Sequence, residues 1–256
     1  MAEKKKISTA SATTVSDIKN AKPVGNATGL RVGAVILWVA AIAFEILAVL
    51  VAFGKLNITF MNTMVCIIVF IVLDLICVVI GSQLWKKANH IKPASKKNPT
   101  KFWLWNNMGL IVSVFAFVPL IILLLTNKDL DKKTRTVAVV AAAVALLIGG
   151  AASIDYNPIS AEEKAAAEAA ITGGVYFTPY GKVYHTHVND DGEVTGHAHV
   201  TDDGQDCPYL NRSDSLTYGT VEEAIAAGKT RLCSYCARHD NINTEGILTD
   251  GNDTAE

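Results

Sequence analysis

Four long apolar runs, at residues 32–53, 60–84, 103–126 and 136–152, constrain this chain more than anything else in it. A helix crossing the hydrocarbon core of a bilayer needs about 20 mainly apolar residues at about 1.5 Å of rise each. The first three runs reach that length. The fourth, Thr136 to Ala152, is shorter, rich in Ala and carries Gly149-Gly150 near its end, so a buried or interfacial helix stands as its alternative. A composition that is 50% hydrophobic and only 18% charged fits a chain half of which lies in membrane. Trp38 lies inside the first run, while Trp85, Trp103 and Trp105 sit at span ends, where amphipathic rings favour the headgroup region. Thirty mostly polar residues precede the first run and no small-residue cleavage pattern follows it, so no cleavable signal peptide is expected.

Charge divides the chain in two. Residues 1–152 hold 17 Lys+Arg against 6 Asp+Glu, and residues 153–256 hold 6 against 18. The acidic part repels a phosphate backbone, which argues against nucleic acid as a partner. In the apolar part, the cations mark orientation. The N-terminal tail has Lys4, Lys5, Lys6, Lys19, Lys22 and Arg31, and the loop after the second run has Lys86, Lys87, Lys92, Lys96, Lys97 and Lys101. The alternate loops hold only Lys55, Lys128, Lys132, Lys133 and Arg135. This asymmetry predicts a multi-pass protein of the cell membrane with a cytoplasmic N-terminus, and four crossings return the C-terminal part to the cytoplasm. Three crossings would place it outside.

Two acids, Glu45 and Asp74, fall within the first and second runs. An ionisable group in hydrocarbon is costly, so its default reading is functional: a proton or ion path, or an interhelical hydrogen bond. The plainer alternative is a protonated carboxyl bonded to a neighbouring helix. On ideal helices the two acids differ in depth by about 10 Å, which argues against a direct carboxyl pair within one chain.

Beyond the fourth run, Asn157-Pro158 breaks the helix, and Ser160-x-x-Glu163 reads as a capping box opening a short Ala- and Glu-rich helix that ends before Gly173-Gly174. Its small and polar faces suggest a spacer outside any core. From Val175 the pattern becomes strand and turn. Val175 to Thr178, a Pro179-Tyr180-Gly181 turn and Lys182 to His185 read as a β-hairpin. Thr220-x-x-Glu223 is a second capping box, and its helix stops at Gly228.

Cys233-x-x-Cys236 places two thiols on one turn, and tetrahedral zinc then needs two further donors. Cys207 and His185 supply them, giving a Cys3His site. A module this small, with modest apolar content, needs such a staple. Of five cysteines, Cys66 and Cys77 lie in the second run as packing residues. The odd three left suit a metal site with one His better than disulfides, although Cys207 paired with Cys233 or Cys236 is the competing reading. A redox Cys-x-x-Cys lacks its βαβ surroundings.

The series Val175-Tyr176, Gly181 to Tyr184-His185, Cys207-Pro208-Tyr209-Leu210, Gly219 to Ala224 and Ala227 to Cys236 resembles a small bacterial zinc-binding module. That module is appended to many membrane and surface proteins and some secreted nucleases, and is loosely similar to the metal-binding domain of the Ada DNA-repair protein. The resemblance covers about a quarter of the chain and implies a metal site without implying a function. The membrane part resembles no family. One departure matters: in the module the Cys follows Tyr-His closely, whereas here about twenty residues intervene. They hold a tandem echo, His185-x-His187 with Asp190-Asp191-Gly192, then His197-x-His199 with Asp202-Asp203-Gly204. His187, His197 and His199 are therefore alternative metal ligands, whether as the fourth zinc donor or as a second transition-metal site. The plain reading of the echo is an exposed polar hairpin, and no loop has the spacing of a calcium motif.

The expected organisation is a basic cytoplasmic tail at 1–31, four transmembrane helices within 32–152, a linker with a short helix at 153–174, a zinc-binding module at 175–238 and an acidic disordered tail at 239–256. The fold class is a membrane all-α four-helix bundle plus a small α+β zinc-stabilised C-terminal module. The leading function is non-enzymatic: a module with a structural zinc that binds a protein partner, carried by spans that contact lipid. The alternative is metal or ion sensing or transport through the intramembrane acids and the His-rich hairpin. An enzymatic reading, as an open-zinc hydrolase or a thiol methyl acceptor, lacks a Glu beside the His in a metalloprotease pattern and a basic surface for DNA.

Overall fold

The computed structural model describes residues 6–9, 25–171, 173–186, 207 and 215–251. It divides into two compact units: Ala27–Ala88 with Trp103–Tyr156, and Met1–Asn26 with Asn89–Phe102 and Asn157–Glu256. His187, His197 and His199, and with them the tandem echo, lie outside the described residues.

The apolar unit is built from helices α1 (Ala27–Ala52), α2 (Thr63–Ile91), α3 (Pro99–Asn106), α4 (Met108–Thr126) and α5 (Lys132–Ser153). All but α3 are long and apolar enough to cross a membrane, α5 included, so the short fourth run forms a full-length helix. Asp131 makes this possible. Its carboxylate caps α5 by accepting from the N–H groups of Lys133 and Thr134, both at 3.0 Å, which starts the helix four residues before the apolar run. Helix α1 likewise begins early and takes in Arg31, and α2 continues through Lys86 and Lys87 to Ile91. The third run is interrupted at Asn107, whose side-chain amide donates to the Trp103 carbonyl at 2.9 Å. Helix α4 itself continues through Pro119.

The helices meet through small residues. Ala41, Ala48, Ala116, Ala138, Ala142 and Ala145 are buried with Ile67, Ile71, Phe117 and Leu120. Larger apolar side chains such as Ile36, Phe115 and Leu147 point outward. That arrangement suits hydrocarbon surroundings, where backbones approach closely and bulk faces lipid. Several polar groups inside bond to one another or to free carbonyls. Ser153 Oγ donates to Ser82 Oγ at 2.8 Å, and Ser82 Oγ donates to the Val78 carbonyl at 2.7 Å. Lys86 Nζ and Gln83 Nε2 both donate to the Ala152 carbonyl at the end of α5, and Asn127 Nδ2 donates to the Ala52 carbonyl at the end of α1. A methyl group added at Gly109 would collide with Ser82 Oγ and press on Ser153 Cβ.

Trp85 packs between Trp38 and Trp105 with tilted rings, centroids at 5.3 and 5.7 Å. Its indole N–H donates to the Trp105 carbonyl at 2.8 Å, and the Arg31 guanidinium lies over both Trp85 and Trp105. Aromatic contact and cation–π attraction hold this cluster together. Trp103, 58% exposed, keeps the expected outward position.

The second unit contains a mixed sheet of order β1-β4-β2-β3-β5, formed by β1 (Lys6–Thr9), β2 (Val175–Phe177), β3 (Val183–His185), β4 (Ser215–Gly219) and β5 (Arg231–Leu232). The hairpin β2–β3 is antiparallel as expected, with Tyr176 opposite His185 and Phe177 opposite Tyr184. Around the sheet lie α6 (Ala161–Ala170), α7 (Val221–Ala226) and α8 (Ser234–His239). Both capping boxes form, at Ser160–Glu163 and at Thr220–Glu223. Gly228, with φ +83°, takes the left-handed turn after α7.

Two expectations for this part of the chain fail. Helix α6 is not a free spacer: Ile159, Ala167 and Ile171 are buried in one core with Val175, Tyr184, Val221, Ile225 and Leu232. Its outer side binds the segment 89–102, through the Ala161 N–H to the Ala94 carbonyl and Lys164 Nζ to the Ile91 carbonyl. Ser95 and the Lys96 N–H bond the Glu162 carboxylate, which they hold below the usual carboxylate range. Nor is the chain from 239 a disordered tail up to Gly251: Ile247 enters the same core, Leu232 bridges to Thr249, and the Leu232 N–H donates to the Leu248 carbonyl. A few apolar residues spaced by turns suffice, because the sheet edge at β5 offers backbone groups that need partners. Ile247→Ala should therefore cost about 2–4 kcal/mol. Hydrogen exchange of the detergent-solubilised chain in rising urea should show the sheet amides losing protection early in that variant and the apolar helices unchanged.

Candidate metal centre

Three separate stretches of chain deliver four donors to one point. His185 is the last residue of β3, and its ring is fixed by the β2–β3 register. Cys233 and Cys236 come from the start of α8, where they occupy the N-cap and third helical positions. These are the positions that a capping box uses, and the geometry that brings Ser160 to Glu163 also brings one sulfur beside the other. The Cys233 N–H donates to the Tyr184 carbonyl at 2.9 Å, which holds the Cys-x-x-Cys turn against β3. Cys207 completes the set.

The ligand atoms of His185, Cys207, Cys233 and Cys236 all lie within 4.8 Å of one another, and all four residues are buried. Cys207 Sγ is 3.3 Å from His185 Nδ1 and 3.7 Å from Cys233 Sγ, and Cys236 Sγ is 3.7 Å from Nδ1. Tetrahedral zinc with Zn–S of about 2.3 Å and Zn–N of about 2.0 Å would separate its sulfurs by about 3.8 Å and sulfur from nitrogen by about 3.5 Å. The observed spacings match those edges to within a few tenths of an ångström. All three thiols are free, so the competing disulfide does not form. Among the described residues this is the one group of three or more His, Cys, Asp or Glu ligand atoms that converges in this way.

Electrostatics at the centre are those of a metal site without its cation. Burial lowers the His185 imidazole's affinity for a proton, but the sulfurs of Cys207 and Cys233 outweigh it and raise the group to about 9. Hydrogen bonding from Cys207 and Cys236 pulls the Cys233 thiol down, and a second sulfur anion beside the first is resisted, so Cys236 is pushed up. The sulfurs thus compete for charge and draw a proton onto His185. A divalent cation would exchange those protons for its own charge, so metal uptake releases protons and weakens in acid.

Residues with no motif of their own support the donors. Thr186 Oγ1 donates to Asp240 Oδ2 at 2.6 Å, joining the end of β3 to the end of α8 just outside His185 and Cys236. Asp250 Oδ1 accepts from the Ser234 N–H at 2.6 Å, bracing the residue after Cys233. Both acids looked like solvated tail residues; a helix C-terminus beside Asp240 and an Asp250-Gly251 turn were the only signals. Lys229 Nζ donates to the carbonyls of Pro179 and Gly181 at 2.9 and 2.6 Å and so fixes the hairpin turn. Tyr184, part of the Tyr-His motif, is a core residue: it is fully buried, and burial raises its phenol.

Asp74 and Glu45 belong to the apolar unit. Asp74 is fully buried, Glu45 is half-buried, and the two interact electrostatically without a hydrogen bond between them. Comparison with protein-family models, curated proteins and solved structures finds no match to this chain.

Cys236→Ser should abolish stoichiometric metal binding, read as metal per chain by mass spectrometry. Asp250→Asn, which keeps the shape but weakens the acceptor, should retain the metal and weaken affinity about 10-fold, by the usual scale for residues that orient ligands. A competition titration with a chromogenic chelator measures that shift.

Proposed function

We propose that this chain is a four-span protein of the cell membrane that carries a structural zinc in a Cys3His site and uses the surrounding module to bind a protein partner. One observation carries the reading: four buried donors lie within 4.8 Å of one another, and three of their spacings are 3.3, 3.7 and 3.7 Å, close to the edges of a zinc tetrahedron. Three sulfurs and an imidazole favour zinc over the oxygen-seeking cations calcium and magnesium. Four protein donors also leave no open position for a substrate or an activated water, which favours a structural over a catalytic role. A small module whose core depends on a few apolar residues gains its rigidity from such a centre.

Partner binding draws support from the rim. Tyr180 is 98% exposed at the tip of a turn that Lys229 holds rigid. An exposed aromatic side chain on an ordered turn is the kind of residue that anchors protein interfaces. The acidic balance of residues 153–256 favours a partner with a basic surface. On location, the segment 89–102 packs on α6, so the Lys-rich loop between the second and third spans and the module share a side. The concentration of cations in that loop favours the cytoplasm as the shared side.

Cobalt substitution and vesicle proteolysis test this together. The expected spectrum is four-coordinate with sulfur-to-cobalt charge-transfer bands, unchanged by added anions, and protease should reach the module in inverted vesicles alone. A five-coordinate, anion-sensitive cobalt would replace the structural reading with an enzymatic one. Cleavage in right-side-out cells would overturn the cytoplasmic assignment.

A further inference from the structure

Asp74 is an acid with nothing to neutralise it. It lies on the eleventh residue after the start of α2, it is fully buried, and neither carboxyl oxygen has a hydrogen-bond partner. Its surroundings on the same helix are Ile71 and Val78, both in the apolar core. Titratable groups near it are few. Glu45, from α1, interacts with it electrostatically, and Cys77, one turn along α2, lies within its field. Helix α4 has no titratable side chain, and α5 has only Lys132, Lys133 and Arg135 in its first turn. Arg31 on α1 and Lys86, Lys87 and His90 on α2 are twelve or more residues away from Glu45 or Asp74 along their helices, about 18 Å or more at the usual rise.

An ionised carboxylate in that position would have no donor and no counter-charge in a medium that penalises it by several kcal/mol. A second carboxylate nearby makes double ionisation costlier still. Both facts call for a bound positive species. A metal cation would require about six oxygen ligands, and the core beside Asp74 supplies alanine, isoleucine and valine side chains. A proton requires one oxygen. We propose that Asp74 and Glu45 form an intramembrane proton-binding site, with the proton resting on Asp74 at neutral pH. Glu45, half-buried, is the peripheral member, and its charge favours the proton on Asp74. This site is independent of the zinc reading and stands if that reading falls.

The test uses the full-length protein in phosphatidylcholine vesicles and an apolar carbodiimide, which modifies protonated carboxyls in apolar surroundings. Peptide mapping by mass spectrometry should find one adduct, on Asp74, whose rate of formation falls about tenfold for each unit of pH once the group ionises. Glu45→Gln removes the neighbouring negative charge, so the fall should move to lower pH while the adduct stays on Asp74. Asp74→Asn, the neutral isostere, should purify as the folded protein and lose the adduct. Failure of Asp74 to react at any pH from about 5 to about 8, with surface carboxyls reacting normally, overturns the proposal. Protection of Asp74 by sodium ions would overturn it in favour of a metal cation, and an unshifted profile in Glu45→Gln would remove Glu45 from the site.

Discussion

The convergence of three sulfurs and one imidazole is the interaction on which the second unit depends. It joins β3, the chain at Cys207 and the start of α8, which no other set of contacts ties together at a single point. The apolar core beside it is modest, with Tyr184, Ile225 and Leu232 as its largest fully buried members. A core of that size leaves little margin against chain entropy. Metal-binding free energy of the order of 10 kcal/mol in comparable small sites is large against that margin. Backbone bonds, notably the Cys233 N–H to the Tyr184 carbonyl, hold the donors close enough together to share a metal ion.

A different constraint governs the apolar unit. With no water available in hydrocarbon, every polar group in a span must find its partner within the protein. Ser82, Ser153, Lys86, Gln83 and Asn127 do so, mostly by closing on carbonyls that helix ends leave free. Arg31 keeps company with Trp85 and Trp105. Asp74 breaks the pattern, since its oxygens remain without partners. The Trp38 indole N–H and the Asn106 amide also lack partners, but Asp74 alone among these is an acid, and for a bare buried carboxyl a bound proton is the smallest physical remedy.

Contacts within the second unit explain part of its own sequence pattern. Lysines in the segment 89–102 serve orientation by their charge, yet Lys96 also pairs with Glu163, and the backbone nearby receives Ala161 and Lys164. The acids opening α6 therefore do more than complement the helix dipole. They bind a neighbouring segment whose positive charge topology already required. This is why the Ala- and Glu-rich helix, polar on most faces, is part of a folded unit.

Local rules were legible in the sequence because they act over three or four residues. Both capping boxes, the β2–β3 hairpin, the glycine stop at Gly228, the long apolar helices and the Cys-x-x-Cys turn follow from spacing alone. The three cysteines were legible as soft-cation donors, whereas His185, His187, His197 and His199 all stood as candidates for the fourth and a disulfide at Cys207 stood as the alternative. Tertiary structure decided what depends on distant surfaces meeting. It packed Trp38, Trp85 and Trp105 together, and it buried Ile247 and the small face of α6. It set Asp240 and Asp250 behind the metal donors and brought Glu45 within the field of Asp74. Propensity and periodicity describe a residue's own turn of chain, whereas burial and charge pairing depend on what lies across from it. That second partner exists only once the chain has folded.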